Sequence, residues 1–329
     1  DAAITDAAGL IDATTVEGAI DEVFGTGVIP QDSRTVASLE SYLANNAVHS
    51  VKDYGAKGDG DADDTAAIQA AIDAAEAATN GGVVYFPPGI YNLDTTGLTV
   101  TTSTVALIYD GAGHGGDQPH GATLLYKGTG VALDVGDGTN PIYRTIIRGL
   151  RINAENPALS SATAQGIRFR DARYHRLDNV TVHDFQSGTG IEDKNETTYG
   201  ANGLYTNIAC STTKNPLVID TNALTVVGGF FGGQGGGIAG GVGIDFGVNA
   251  NGCLIMGTDV ESTETGFKIA GDGIRVIGCR SEYIGNDSDD YVFDILAAAH
   301  QATILGHYFA TSEASNVNVA STATTPVWF

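Results

Sequence analysis

A short hydrophobic run broken by a single glycine or asparagine returns seven times between residues 146 and 309, and it limits the possible folds sharply. It reads Ile146-Ile-Arg-Gly149-Leu-Arg-Ile152, Leu177-Asp-Asn179-Val-Thr-Val182, Tyr205-Thr-Asn207-Ile-Ala-Cys210 and Val226-Val-Gly228-Gly-Phe-Phe231. Ile255-Met-Gly257-Thr-Asp-Val260, Val276-Ile-Gly278-Cys-Arg-Ser281 and Ile304-Leu-Gly306-His-Tyr-Phe309 complete the set. The break residues lie 21 to 30 positions apart. Glycine and asparagine tolerate the left-handed αL conformation, so each break predicts a sharp turn between two short strands.

A second motif interleaves with the first: a turn residue, an apolar residue, a free position, then usually another apolar residue. It reads Gly130-Val-Ala-Leu133, Gly166-Ile-Arg-Phe169, Gly190-Ile-Glu-Asp193, Pro216-Leu-Val-Ile219, Gly243-Ile-Asp-Phe246, Gly266-Phe-Lys-Ile269 and Val292-Phe-Asp-Ile295. Two strand motifs sharing a 20–30-residue period predict a coil with several strands per turn. Stacking such coils at about 4.8 Å gives a parallel β-helix. A β-sandwich would need hairpin turns between neighbouring strands, and few two-residue hairpin signals are present. A propeller would need repeats nearer 40–45 residues.

The β pattern is continuous from about residue 105. Before it, Thr65 to Ala78 reads as a helix with Ile68, Ile72 and Ala75 on its apolar stripe. Asp63 or Asp64 is its expected N-cap, and Gly81-Gly82 its end. This helix is expected to cap the N-terminal end of the stack, where open strand edges invite pairing. Val83 to Phe86 reads as a strand. Two further short helices are read near 14–24 and 34–44, too short to stand alone. Asp59, Asp61 and Asp63 resemble the start of a calcium loop. The twelfth position is Ala70 instead of a bidentate glutamate and the sixth is not glycine, so capping is the better reading and no metal is assigned.

Composition excludes several classes. With 16 Lys+Arg against 39 Asp+Glu, the formal net charge is −23. Phosphate recognition depends on basic residues, so nucleic acid is not an expected partner. No apolar run is long enough to span a bilayer, so no membrane insertion is expected. The first ten residues hold neither a basic segment nor a long apolar run, so no secretory leader is read there. The scarcity of lysine on an acidic chain predicts a halophilic setting, where salt screens the repulsion. Cys210, Cys253 and Cys279 form no CxxC pair and read as core residues.

Val51-Lys-Asp-Tyr-Gly-Ala-Lys-Gly-Asp-Gly, Asp63-Asp-Thr-Ala-Ala-Ile-Gln69 and Gly81-Gly-Val-Val-Tyr-Phe-Pro-Pro-Gly-Ile-Tyr91 resemble the opening of pectate-lyase-like proteins, the superfamily of viral tailspikes and polygalacturonases. Thr14 to Val23 and the stretch from Arg34 resemble helical units and necks of phage tail fibres. The resemblance implies an all-β, single-stranded right-handed parallel β-helix with short N-terminal helices and a capping helix. It divides the chain into 1–50 for virion attachment, 51–310 for the β-helix and 311–329 as a tail. It implies an extracellular location on a virion tail, a host-surface glycan as partner, contact with other tail proteins through residues 1–50, and a homotrimer. No cofactor is implied. The polygalacturonase catalytic motifs are absent, and Gly113-His114-Gly115 lies too early to count. Two other readings stay open: a non-catalytic adhesive spike, and a free secreted polysaccharide lyase or hydrolase.

Repeat register then locates chemistry. Positions one and three after each break should face inward, as in Leu150/Ile152, Val180/Val182, Ile208/Cys210 and Thr258/Val260. The outward columns run Arg151, Thr181, Ala209, Phe230, Asp259, Arg280, Tyr308 and Asn153, His183, Ser211, Gly232, Glu261, Glu282, Ala310. Glu261, Glu282 and Asp259 are the candidate catalytic residues, with Arg280, Tyr308 and Phe230 as substrate contacts. Glu261 and Glu282 should sit one coil apart, about 5 Å, near the spacing of a retaining carboxylate pair. A solvated ion-pair face is the plain alternative. In the second motif Arg168, Glu192, Asp245, Lys268 and Asp294 point outward as a salt-bridge ladder, while Asp193 falls inward as a misfit. His307 is expected inside.

Overall fold

The computed structural model describes residues 4–5, 12–13, 48–109, 121–156, 158–196, 202–233, 240–285, 290–310 and 315–320. The helices read at 14–24 and 34–44, the Gly113-His114-Gly115 string and most of the tail after 310 lie outside the described residues.

The chain winds into a parallel β-helix. One sheet of 18 strands holds both halves of the first motif, and a second sheet of nine strands holds the second motif. Successive coils pair in parallel, as in Ile147↔Leu177, Ile152↔Val182 and Ile167↔Ile191. A short third pair joins Ile142–Tyr143 to Ala172–Arg173. Ile4–Thr5 and Asp12–Ala13 form a small antiparallel pair of their own.

Every predicted break residue has positive φ: Gly149 +71°, Asn179 +54°, Asn207 +53°, Gly228 +66°, Gly257 +64°, Gly278 +60° and Gly306 +61°. The backbone bends there without ending the ladder, and Leu204–Ser211 and Thr225–Gly232 run through the bend as single strands. Inward positions fall as expected, with Leu150, Ile152, Val180, Val182, Ile208, Cys210, Thr258 and Val260 all buried. Stacking at rung spacing fills the lumen, as where Phe267 lies parallel to Phe293 with centroids 4.8 Å apart. The three cysteines are free and buried. Burial pushes the Cys253 thiol up to about 12. His307 packs edge-on against Phe267, Phe293 and Phe309. Partial burial there brings its pKa down to about 4, so this half-buried imidazole is neutral at pH 7.

Several expectations need correction. Strands begin well before residue 105: Val48–Ser50 pairs with Val83–Tyr85, and Asp59–Asp63 pairs with Gly89–Leu93. The Asp59 carboxylate accepts from the N–H groups of Asp61 and Ala62, closing a local turn in that strand. Gly130 lies in a bend before its strand as expected, but four other second-motif glycines are not turn residues. Gly166, Gly190, Gly243 and Gly266 lie within strands, where a Cβ would collide with the next coil. At Gly243 it would fall 2.4 Å from Val260 Cγ1 and 2.7 Å from Gly266 O. Glycine is required here for close approach between the two sheets. The first repeat of that motif is also displaced by two, since Leu133 pairs with Ile167 and not with Phe169.

The helix Thr65–Ala77 buries Ile68, Ala71, Ile72 and Ala75. Asp63 serves its start, accepting from Thr65 N and Oγ1 at 3.0 and 2.5 Å. Asp64 does not cap the helix. Its carboxylate turns back to the N–H groups of Lys57 and Gly58 at 2.6 and 2.9 Å, fixing the preceding loop. The helix covers Leu98–Val100, the end strand of the nine-stranded sheet, and Gln69 bonds the backbone of Thr99 there. At the opposite end Ser315–Val319 pairs with Tyr291–Ile295.

Candidate functional site

The outward columns of the 18-stranded sheet bring the six candidate residues together on neighbouring rungs. Phe230 pairs with Asp259, Asp259 with Arg280, and Arg280 with Tyr308. In the next column Gly232 pairs with Glu261, and Glu261 with Glu282. Register alone therefore sets Glu261 and Glu282 one rung apart on the same face.

Side-chain contacts divide the carboxylates. Arg280 Nη1 meets Asp259 Oδ2 at 2.5 Å, and Arg280 Nη2 bonds Glu282 Oε2. One guanidinium thus bridges both acids. Glu261 has no such partner among the described residues, and its pKa is raised. Burial is the main cause and the Asp259 charge the second, while Arg280 opposes both. The Phe230 ring folds over Gly232, whose Cβ would meet it at 2.6 Å, and Glu261 Cγ lies 3.7 Å from the same point. This explains why Gly232, in an outward column, is buried. Tyr308 is 63% exposed, so its ring is free to stack.

Two other outward residues are less open than their positions suggest. Arg151 and Ala209 are buried, and Arg151 Nε donates to Asn153 Oδ1 at 3.1 Å along its own strand. His183 forms a contact of 2.6 Å with Asp184.

The nine-stranded sheet carries a second feature that repeat reading does not disclose. An open groove of about 750 Å³ runs over Thr95, Thr96, Thr99, Thr163, Gln165 and Arg168, with Tyr126 and Asp134 in its wall. Asp134 is gripped by two guanidinium groups. Arg168 donates to it from Nε and Nη2 at 3.1 and 2.7 Å, and Arg170 from the same atoms at 3.1 and 2.8 Å. These bonds to Asp134 raise the Arg168 pKa. Glu192 accepts from Gln165 Nε2 at 3.2 Å. Farther along, Lys268 meets Asp245 at 3.3 Å and Asn318 bonds Asp294 at 2.7 Å. Ion pairs therefore join only part of the outward polar column, Arg168 to Asp134 and Lys268 to Asp245, Val218 interrupts it between Glu192 and Asp245, and its N-terminal rungs border a groove. Asp134 escapes a search by repeats because Leu133 and its neighbours lie two positions from the expected register.

The inward misfit at Asp193 has a local solution. It accepts from Tyr205 OH at 3.0 Å and shares a 2.8 Å contact with His175 Nε2, all three residues being buried. Among the described residues no group of three or more His, Cys, Asp or Glu is placed to hold a metal ion, and no helix is long and apolar enough to cross a membrane.

Parallel coils carrying polar side chains on their outer faces define the pectate-lyase-like class of β-helix. Residues 48–268 match the rhamnogalacturonase A/epimerase, pectate lyase-like family, and the chain belongs to it. Curated relatives match over short stretches. Mannuronan C5-epimerase AlgE6 of Azotobacter vinelandii is 61% identical over 49 residues, 15% of this chain and 6% of that protein. The chain thus spans only a small fraction of that relative. Among solved structures, ORF18 of Geobacillus virus E2 superposes with a TM-score of 0.57 at 15% identity, covering 88% of this chain and 63% of that one. The enzymatically active domain of tailspike protein 2 from bacteriophage CBA120 gives 0.54 at 16% identity, covering 85% and 47%. At these identities the likeness is one of fold.

Proposed function

We propose that this chain is a spike that binds a host-surface glycan and cleaves it on the outer face of its C-terminal coils. The observation that carries the reading is Glu261: a carboxyl with raised pKa and, among the described residues, no ion-pair partner of its own, one rung from Glu282. A raised pKa suits a general acid, which must hold its proton until the leaving oxygen takes it. Glu282, bridged to Arg280, is the complementary carboxylate. At one-rung separation the pair fits retaining chemistry. Glu261 protonates the glycosidic oxygen as that bond to the anomeric carbon breaks, and Glu282 forms the glycosyl ester. Water then hydrolyses the ester, with Glu261 taking its proton. Phe230 and Tyr308 flank the pair and supply faces for sugar stacking.

The virion assignment rests on the likeness of fold to a bacteriophage tailspike, with residues 1–50 as the attachment segment. The net charge of −23 supports a setting of high salt. Self-association belongs to the same proposal. The outward column Val227, Met256, Ile277 and Leu305 is apolar over four coils, and a homotrimer would cover it.

The test is release of reducing ends from host envelope glycans in high salt, with Glu261→Gln and Glu282→Gln beside the wild type. Release by the wild type alone, with adsorption retained by all three, supports cleavage at this pair. Adsorption without release supports the second reading, a purely adhesive spike. The hydroxyl-rich groove over the nine-stranded sheet favours that alternative, since the acid in its lining, Asp134, is already hydrogen-bonded to Arg168 and Arg170.

A further inference from the structure

At the corner between Ala172–Arg173 and Arg176–Asp178 four arginines gather on an otherwise acidic chain. Arg144, Arg148, Arg173 and Arg176 lie on two adjacent coils, because Tyr143 pairs with Arg173 and Ile146 with Arg176. Four of the 16 basic residues meet there on a chain of net charge −23. Only Arg148 has a carboxylate partner among the described residues, Asp178 at 3.0 Å. Arg144 and Arg176 are exposed without one. Arg173 lies 5.7 Å from the centre of the Tyr143 ring, and its Nε is buried with no hydrogen-bond partner among the described residues.

A pocket of about 390 Å³ opens in this cluster, with Arg144, Arg176, Tyr174, His175, Asn202 and Leu204 in its lining. Tyr174 is held at φ +55°, an uncommon conformation for a bulky residue, and its side chain is left 55% exposed. His175 is 2% exposed. Its Nε2 is engaged by Asp193 and Tyr205, while Nδ1 is buried with no partner among the described residues. Gly203 makes room for this imidazole, since a Cβ there would fall 2.6 Å from His175 Cε1.

We propose that this pocket binds the anionic group, carboxylate or sulfate, of an acidic polysaccharide. Arg144 and Arg176 grip the anion, and Tyr174 packs against the sugar ring. The guanidinium fork matches a planar or tripodal oxyanion with two parallel N–H···O bonds, which a neutral sugar cannot offer. The chain's overall negative charge does not prevent this. At physiological ionic strength charges beyond about 8 Å are largely screened, so the local arginines govern the approach. The pocket's size falls within the usual range for small-molecule sites. The proposal is independent of Glu261 and of cleavage.

The test is affinity electrophoresis of the full chain through gels containing polygalacturonate, dextran sulfate or neutral dextran. The wild type is expected to be retarded by at least one polyanion and not by dextran, and the choice between the two identifies the carboxylate or the sulfate. Arg144→Ala/Arg176→Ala should weaken retardation at least tenfold in apparent Kd, whereas Arg275→Ala, an exposed arginine elsewhere on the sheet, should leave it unchanged. Both altered side chains are exposed, so the fold should persist, and an unchanged circular-dichroism melt would verify this. Equal retardation of wild type and double variant, or no retardation of the wild type by either polyanion, would overturn the proposal.

Discussion

Gln69 and Thr99 stand thirty residues apart and are joined through both backbone groups of the threonine. The Gln69 amide oxygen accepts the Thr99 N–H at 2.9 Å, and the amide nitrogen donates to the Thr99 carbonyl at 3.0 Å. A side chain on the capping helix thus makes the two bonds that another strand would make. Glu76 extends the arrangement by accepting from the N–H groups of Thr101 and Thr102.

Gln69→Ala removes both bonds and exposes an open strand edge. The expected loss is about 1–3 kcal/mol, measured as a lower urea midpoint with unchanged slope. A Gln69→Ala protein as stable as the wild type would show that the helix caps by apolar contact alone.

The glycines divide into two physical classes that denaturation should separate. Gly257 has φ +64°, and nothing lies within 4 Å of the point where a Cβ would stand, so only its backbone angle matters. Asparagine occupies the equivalent bend at Asn179 and Asn207, and Gly257→Asn should cost under about 1 kcal/mol. Gly243→Ala drives a methyl into Val260 and should cost about 1–3 kcal/mol. Val260→Ala introduced beside it should recover part of that loss, although the Gly266 carbonyl still limits the space.

These two classes also explain what the sequence makes legible. A bend at Asn207 or Gly278 is visible because few residues accept αL, and alternation around it tells Val180 from Thr181. The 21-residue interval between Gly257 and Gly278 already sets Glu261 opposite Glu282. What Arg280 does between Asp259 and Glu282 is a matter of rotamers and cannot be read from spacing. Asp193 announces itself as a misfit, but its partners come from elsewhere in the chain, His175 from the bend between Ala172–Arg173 and Arg176–Asp178 and Tyr205 from the strand Leu204–Ser211. Arg144 and Arg176 meet through the pairing of Ile142–Tyr143 with Ala172–Arg173, a short corner outside both motifs. Gly243 looks like a turn residue in sequence because steric and conformational demands select the same amino acid.

The raised Glu261 pKa makes a prediction about pH with a definite sign. In the proposed role of general acid Glu261 would work protonated, so cleavage should fall as pH rises through its pKa, which lies above the ordinary 4.5. Asp259 raises that pKa and Arg280 lowers it. Asp259→Asn should therefore move the alkaline limb to lower pH. The same group contributes to stability in the opposite sense from an ordinary paired carboxylate: its contribution is full below the unfolded value and is lost as pH rises through the folded one. Carbon-13 NMR titration of the Glu261 carboxyl follows the shift without requiring activity. A titration unchanged by Asp259→Asn would remove the electrostatic link between these two residues.

Self-association can be tested on the apolar column. Val227 pairs with Met256, Met256 with Ile277, and Ile277 with Leu305, all on the outer surface. Met256 is 39% exposed and Leu305 43%. Contiguous exposed apolar side chains are unusual on so acidic a surface, and covering each contributes up to about 1.5–3 kcal/mol. Two added carboxylates would have to be desolvated in any interface there, so Met256→Glu/Leu305→Glu should convert a trimer to a monomer in light scattering. Because both side chains already meet solvent in the isolated chain, the monomer's fold should survive, with a far-ultraviolet circular-dichroism spectrum like that of the wild type. A wild type that is monomeric at micromolar concentration in high salt, or a double variant that remains trimeric, would remove this face from the assembly.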